Sequence, residues 1–112
     1  MLPLNRGILE TIYVRKAPCL TGRQASKHQA PNLVSLYKKF YKKEPFVRIK
    51  DEGVFPCIKD VAGTNFCDIG IKDNGKNIII ISAIDNLLKG ASGQAVQNMN
   101  IMYGFPEFMG LL

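Results

Sequence analysis

Apolar positions along the chain switch between a two-residue spacing and a three-to-four-residue spacing, and the switches mark out its elements. Ile8-Leu9-Glu10-Thr11-Ile12-Tyr13-Val14 is rich in β-branched and aromatic residues and reads as a strand. Ile8, Ile12 and Val14 fall on one face, Leu9 and Tyr13 on the other. Both faces are largely apolar, so cover on both sides is expected, and that asks for a larger protein than this one. Residues 16 to 31 hold Pro18, Gly22 and Pro31 among polar groups and read as a loop. Asn32 is then placed to cap a helix. Leu33, Leu36, Tyr37, Phe40 and Tyr41 follow at helical spacing, with the lysines mainly off that stripe. Pro45 biases Glu44 away from the α region and ends the helix.

Phe46 to Ile49 reads as a short strand, and residues 50 to 64 as an irregular connection. From Phe66 to Lys72 the pattern alternates: Cys67, Ile69 and Ile71 on a buried side, Asp68, Gly70 and Lys72 on the other. Asn74-Gly75 then signals a hairpin, because both residues tolerate positive φ. Its second arm, Asn77 to Ile84, is nearly all apolar and is expected to be a central strand. Asp85 sits where a helix cap is wanted. Leu88, Ala91, Ala95, Met99 and Met102 form one helical stripe, and Gly104 and Pro106 end it. Gly90 and Gly93 weaken this helix by about 1 kcal/mol each relative to alanine. They imply close packing of another backbone, or of a ligand. The order strand, helix, strand, hairpin, helix predicts an α+β fold with a mixed, mostly antiparallel sheet and packed helices.

Composition adds bounds. The 112 residues suit a single domain, and 46% apolar with 21% charged residues excludes wholesale disorder. No apolar run approaches the roughly 20 residues of a membrane span, so no membrane partner is expected. No secretory leader is expected either. Cys19, Cys57 and Cys67 are odd in number and lack C-x-x-C spacing, which favours reduced thiols and a cytoplasmic setting. The net charge of +6 invites nucleic acid or phosphorylated ligands. Lys38, Lys39, Lys42 and Lys43 form one basic cluster, readable as a solvated helix face or a nucleic-acid patch. The neighbouring aromatics fall on the apolar stripe, where bases could not stack, so no nucleic-acid partner is the favoured reading. His28 is alone in its loop, and no metal site is expected. Cys67 reads as a buried, inert thiol and Cys57 as a loop thiol. On residue types alone, the chain is an α+β domain of open function.

Three stretches carry more. They are Leu4-Asn5-Arg6-Gly7-Ile8-Leu9-Glu10-Thr11-Ile12-Tyr13-Val14; Glu44-Pro45-Phe46-Val47-Arg48 with Gly63-Thr64-Asn65-Phe66-Cys67-Asp68-Ile69-Gly70; and Ser82-Ala83-Ile84-Asp85-Asn86-Leu87 running on through Lys89-Gly90-Ala91-Ser92-Gly93-Gln94-Ala95-Val96-Gln97-Asn98-Met99-Asn100. In this order the chain resembles the N-acetyl-gamma-glutamyl-phosphate reductase family of arginine biosynthesis. Residues 16 to 31 depart from the pattern. The resemblance implies NADPH-dependent reduction of N-acetyl-glutamyl phosphate to N-acetyl-glutamate semialdehyde. A cysteine forms a thioester, and a histidine handles protons. It implies a fold like the second domain of glyceraldehyde-3-phosphate dehydrogenase-like reductases, which carries substrate contacts and builds a homo-oligomer.

Residues 1 to 112 match that second domain and its closing helix, about 86 to 103, without the Rossmann domain. The family's nucleophile lies in a Gly-Cys-Tyr-Pro context that none of the three cysteines has. Its histidine falls before Met1, and His28 is not that residue. No catalytic residue is therefore expected here, and the chain by itself is expected to be inactive. Two positions carry over. Asn86 matches an asparagine that bonds the nicotinamide carboxamide, with a helix cap as the plainer reading. Arg6 could face the substrate's carboxylate or phosphate, with a structural ion pair as the plainer reading. A different class of function, a stand-alone oligomerisation or basic nucleic-acid-binding module, is the alternative.

Overall fold

A computed structural model describes residues 5–16 and 32–111. Most of the loop expected over residues 16 to 31, with His28 and Cys19, lies outside the described residues. Strand β1 (Ile8–Arg15) pairs antiparallel with β4 (Asn77–Ile84), from Ile8 opposite Ile84 to Arg15 opposite Asn77. β4 pairs antiparallel with β3 (Cys67–Asp73), and β2 (Val47–Ile49) runs parallel to β3. The sheet order is β1-β4-β3-β2, so the apolar run of β4 is central, as expected. The fold is α+β with a mixed sheet.

Helix α1 (Leu33–Phe40) starts as predicted: the Ser35 N–H donates to Asn32 Oδ1 at 3.1 Å. The hairpin turn sits one residue later than Asn-Gly spacing suggests. The Asn74 N–H donates to Asn77 O, leaving Gly75 and Lys76 as the central pair. Asn74 Oδ1 sets this register by accepting the N–H groups of Lys76 and Asn77. The connection read as irregular contains a short helix, α2 (Ile58–Val61), whose Ile58 and Val61 are buried. Four residues are too few to show a period.

Three expectations about burial are corrected. Every residue of β1 is exposed, so the cover expected on both its faces is not supplied by the described residues. In β3 the side read as solvent-facing is covered as well: Asp68 and Gly70 are buried, while Cys67 and Ile69 are only half-buried. Cross-strand partners share a face, which puts Arg48, Asp68, Ala83 and Leu9 in one row. The 54–56 segment lies on that face, close enough that a Cβ on Gly70 would meet Pro56 Cδ at 2.7 Å. Buried Asp68 is held there by two cations. Arg48 bonds it through Nε at 2.5 Å and Nη2 at 3.0 Å, and Lys50 Nζ lies 2.6 Å away.

The closing segment is corrected most. It begins as a π-helical turn (Leu88–Ser92) and continues as α3 (Gly93–Tyr103). The buried residues of α3 are Gly93, Gln97 and Asn100, whereas Ala91, Ala95, Met99 and Met102 of the predicted stripe are exposed. The polar side faces in.

Candidate functional site

One end of the sheet gathers the entry to β1, the turn after α2 and the exit from β4. Asp85 leaves β4 fully buried. Its Oδ1 accepts the Leu87 and Leu88 N–H groups at 2.9 and 3.1 Å, which is the predicted cap. Its Oδ2 accepts the Gly63 N–H at 2.8 Å and lies 3.4 Å from Arg6 Nε. Burial pushes this carboxyl up. The three N–H donors and the Arg6 charge outweigh burial and hold it below the usual carboxylate range. One side chain thus ties four segments.

The next residue adds a second tie. The Gly7 N–H donates to Asn86 Oδ1 at 2.7 Å. Arg6 and Asn86, far apart in sequence, are therefore brought together by two adjacent contacts, Arg6 to Asp85 and Gly7 to Asn86. Gly7 has φ +116°, and an added Cβ would collide with the Ile58 side chain, so only glycine lets β1 begin this close to α2. Because a backbone donor occupies Asn86 Oδ1, the amide orientation is set. Among the described residues no acceptor takes its NH2 group, and the residue is half-buried. Arg6 makes the ion pair of its plainer reading, yet its side chain remains 45% exposed.

A second cluster lies under the closing helix. Gln97 Oε1 accepts from Asn65 Nδ2 at 3.0 Å and from Lys89 Nζ at 2.7 Å. Gln97 Nε2 donates to Glu107 Oε1 at 2.6 Å. Asn100 Nδ2 reaches the carbonyls of Glu107 and Met109 at 3.1 and 2.9 Å. Burial pulls the Lys89 ammonium below the usual lysine range, against the opposing pull of Cys67, Glu107 and Glu44. Gly93 answers part of the glycine question: a Cβ there would strike Asn65 Oδ1, so close packing of Asn65 requires it. Gly90 has only ordinary contacts. Neither Lys89 nor Gln97 stands out by residue type, because polar residues in a helix ordinarily mark its wet side, and Glu107 lies in the turn beyond the helix.

Of the other candidates, Cys67 adjoins the second cluster through its pull on Lys89, and the rest join neither. Cys57 is exposed, and Cys67 Sγ sits 3.6 Å from Ser82 Oγ. Among the described residues no three His, Cys, Asp or Glu side chains gather to hold a metal, and no helix is long and apolar enough to cross a membrane. In the basic cluster, Lys38 is paired with Asp51. Phe40 is 77% exposed, so the aromatic stripe of α1 is not core, and its rings pack on one another.

Residues 1–86 match the family model described as the semialdehyde dehydrogenase dimerisation domain. The whole chain is similar to N-acetyl-gamma-glutamyl-phosphate reductases. One from Geobacter metallireducens is 54% identical over 113 residues, covering 99% of this chain and 30% of that protein. One from Geobacter sp. strain M21 is 52% identical over 113 residues, with the same coverage. One from Staphylococcus saprophyticus is 46% identical over 114 residues, covering 100% of this chain and 31% of that protein. The chain spans about 30% of the length of the curated relatives it matches.

Proposed function

The chain belongs to the semialdehyde dehydrogenase dimerisation-domain family, and from that premise we infer that it supplies the C-terminal part of an N-acetyl-gamma-glutamyl-phosphate reductase. The reaction is the NADPH-dependent reduction of N-acetyl-glutamyl phosphate to N-acetyl-glutamate semialdehyde in arginine biosynthesis. It belongs to the cytoplasm, in keeping with the unpaired Cys57 and Cys67. The chain forms one domain of the glyceraldehyde-3-phosphate dehydrogenase-like kind, and the working enzyme is a homo-oligomer built through it. The nucleophilic cysteine and the proton-handling histidine lie outside these 112 residues.

The observation that carries this reading is the paired tie of Arg6 to Asp85 and Gly7 to Asn86. It places a guanidinium beside an amide donor on separate elements, which suits a substrate anion next to a cofactor carboxamide. The fit is with the carboxamide end only. Asn86 can offer its NH2 to a carbonyl oxygen, and its Oδ1, which takes one N–H from Gly7, keeps a second lone pair for an N–H donor. NADPH, when bound, supplies the hydride. Asn86 orients the ring that carries it. Arg6, half-neutralised by Asp85, keeps the exposed side of its fork for a carboxylate or phosphate oxygen.

The test replaces the matching stretch of the Geobacter metallireducens reductase with this chain. NADPH formation from N-acetyl-glutamate semialdehyde, NADP+ and phosphate is then followed by absorbance. The fusion should be active, and the 112-residue chain alone inactive. Asn86→Ala should raise the KM for NADP+, and Arg6→Ala the KM for the semialdehyde or phosphate. A folded fusion without activity refutes the reading.

A further inference from the structure

Asp85 is fully buried, so no ligand reaches it, yet it stands behind both side chains that the reading above gives to ligands. Its two oxygens divide the work. Oδ1 accepts the Leu87 and Leu88 N–H groups at 2.9 and 3.1 Å and closes the turn that carries Asn86. Oδ2 accepts the Gly63 N–H at 2.8 Å and lies 3.4 Å from Arg6 Nε. Backbone donors from two separate segments lock the carboxylate, so it cannot swing to follow Arg6. Gly63 has φ +75° with open space where a Cβ would lie, so glycine serves the backbone path that presents this N–H and not a need for room.

Arg6 is held differently. Among the described residues its one ionic contact is at Nε, and its side chain is 45% exposed. A carboxylate oxygen on the Nε side leaves the Nη pair at the far edge of the guanidinium plane, which is the edge that takes an oxyanion as a fork. A fixed carboxylate behind a mobile guanidinium therefore sets the direction of the fork.

We propose that Asp85 is a positioning residue of the reductase: through Oδ2 it aims the Arg6 fork at the substrate-side anion, separately from its cap on the Asn86 turn through Oδ1. The inference rests on the reductase reading above. A negative charge behind Arg6 also repels that anion, so two effects oppose. Freeing the guanidinium costs anion affinity up to about thirtyfold, the full rotamer entropy of an arginine. Neutralising Asp85 lifts a repulsion that acts across the guanidinium, mostly through water, and returns about threefold. Positioning wins by about tenfold.

The test uses steady-state kinetics of the fusion described above, following NADPH formation from N-acetyl-glutamate semialdehyde, NADP+ and phosphate. Asp85→Asn should raise the KM for the semialdehyde or phosphate by about tenfold. It should leave the KM for NADP+ within about twofold, because the amide oxygen still caps Leu87 and Leu88. Added to Arg6→Ala, the same change should raise the anion KM no further. An equal rise in both backgrounds overturns the proposal, because Asp85 then does not act through Arg6. A matching rise in the KM for NADP+ overturns it too. Asp68→Ala, buried but away from this site, should lower Tm and leave both KM values; if it shifts the anion KM as Asp85→Asn does, lost stability is the cause and the proposal falls. If Asp85→Asn does not fold, Arg6→Lys decides. The single ammonium of lysine is spent on Oδ2, so the anion KM should rise as far as in Arg6→Ala, and a KM near the native value overturns the proposal. A folded native fusion without activity refutes the reductase reading. An active fusion in which Arg6→Ala moves the anion KM and Asp85→Asn does not refutes the positioning alone.

Discussion

Replacing Asp85 with asparagine keeps its size and removes its charge, which isolates what the carboxylate does. In the native chain its two oxygens take three backbone N–H groups at 2.8 to 3.1 Å and the Arg6 guanidinium at 3.4 Å. An amide can satisfy only one side. Keeping its oxygen on Leu87 and Leu88 points its NH2 at the Gly63 N–H and at Arg6, a donor facing two donors. The loss is one hydrogen bond to a charged acceptor, about 1.5–3 kcal/mol. The half-exposed Arg6 pair adds at most about 1 kcal/mol. A total of roughly 2–4 kcal/mol corresponds to a fall in Tm of about 8–16 °C for a domain of this size. The assay is thermal unfolding of the 112-residue chain by circular dichroism at pH 7, then at lower pH. The folded carboxyl lies below the unfolded value of about 3.9, so its contribution is full above that value and is lost as pH falls through the folded one. The gap between native and Asp85→Asn should therefore close in acid, where both side chains are neutral. A gap under about 0.5 kcal/mol at pH 7, or one of equal size in acid, refutes Asp85 as a charged tie.

Gly7→Ala should lower stability by about 1–3 kcal/mol through its positive φ, and Ile58→Ala in the same chain should recover part of the strain by making room; denaturant melts read both. Asp68→Ala leaves Arg48 and Lys50 without their shared partner and should cost about 3–5 kcal/mol in the same melts, whereas replacing exposed Asp51 should leave the midpoint where it is. Lys89→Met removes a cation whose folded form is disfavoured by burial. Native stability should rise as pH increases from the lowered folded value of Lys89 toward the unfolded value of about 10.4. The variant should lack that rise, and unchanged pH curves would show that Lys89 is not desolvated.

Much of this fold is legible residue by residue where local chemistry decides. β1 and β4 declare themselves by runs of β-branched residues, the α1 start by Asn32, and the closing segment by Asp85. What depends on a neighbour is not legible. The turn moved by one residue because Asn74 bonds forward with its side chain, which propensity does not encode. Asp68 reads as a wet position until Arg48 and Lys50, twenty and eighteen residues earlier in the chain, are seen to neutralise it. At the site, Arg6 and Asn86 come from the family pattern. Their joining through Gly7 and Asp85, and the fixed orientation of the Asn86 amide, come only from the fold.

The closing helix shows why hydrophobic periodicity has a blind side. Spacing establishes that Ala91, Ala95, Met99 and Met102 lie together on one surface. It says nothing about which surface meets the sheet, because that is decided by what the sheet offers. Here the inward side meets polar partners, Asn65 just before β3 and the carbonyls of Glu107 and Met109 in the turn after the helix, and Gln97 and Asn100 answer them. Once those bonds form, burying the methionines against the same surface would strand the polar groups, and the polar cost per group, about 1–3 kcal/mol, is comparable to the about 1.5–3 kcal/mol that a buried methionine returns. The polar side of the helix is thus the one that the rest of the fold selects, and the exposure of Met99 and Met102 is the consequence.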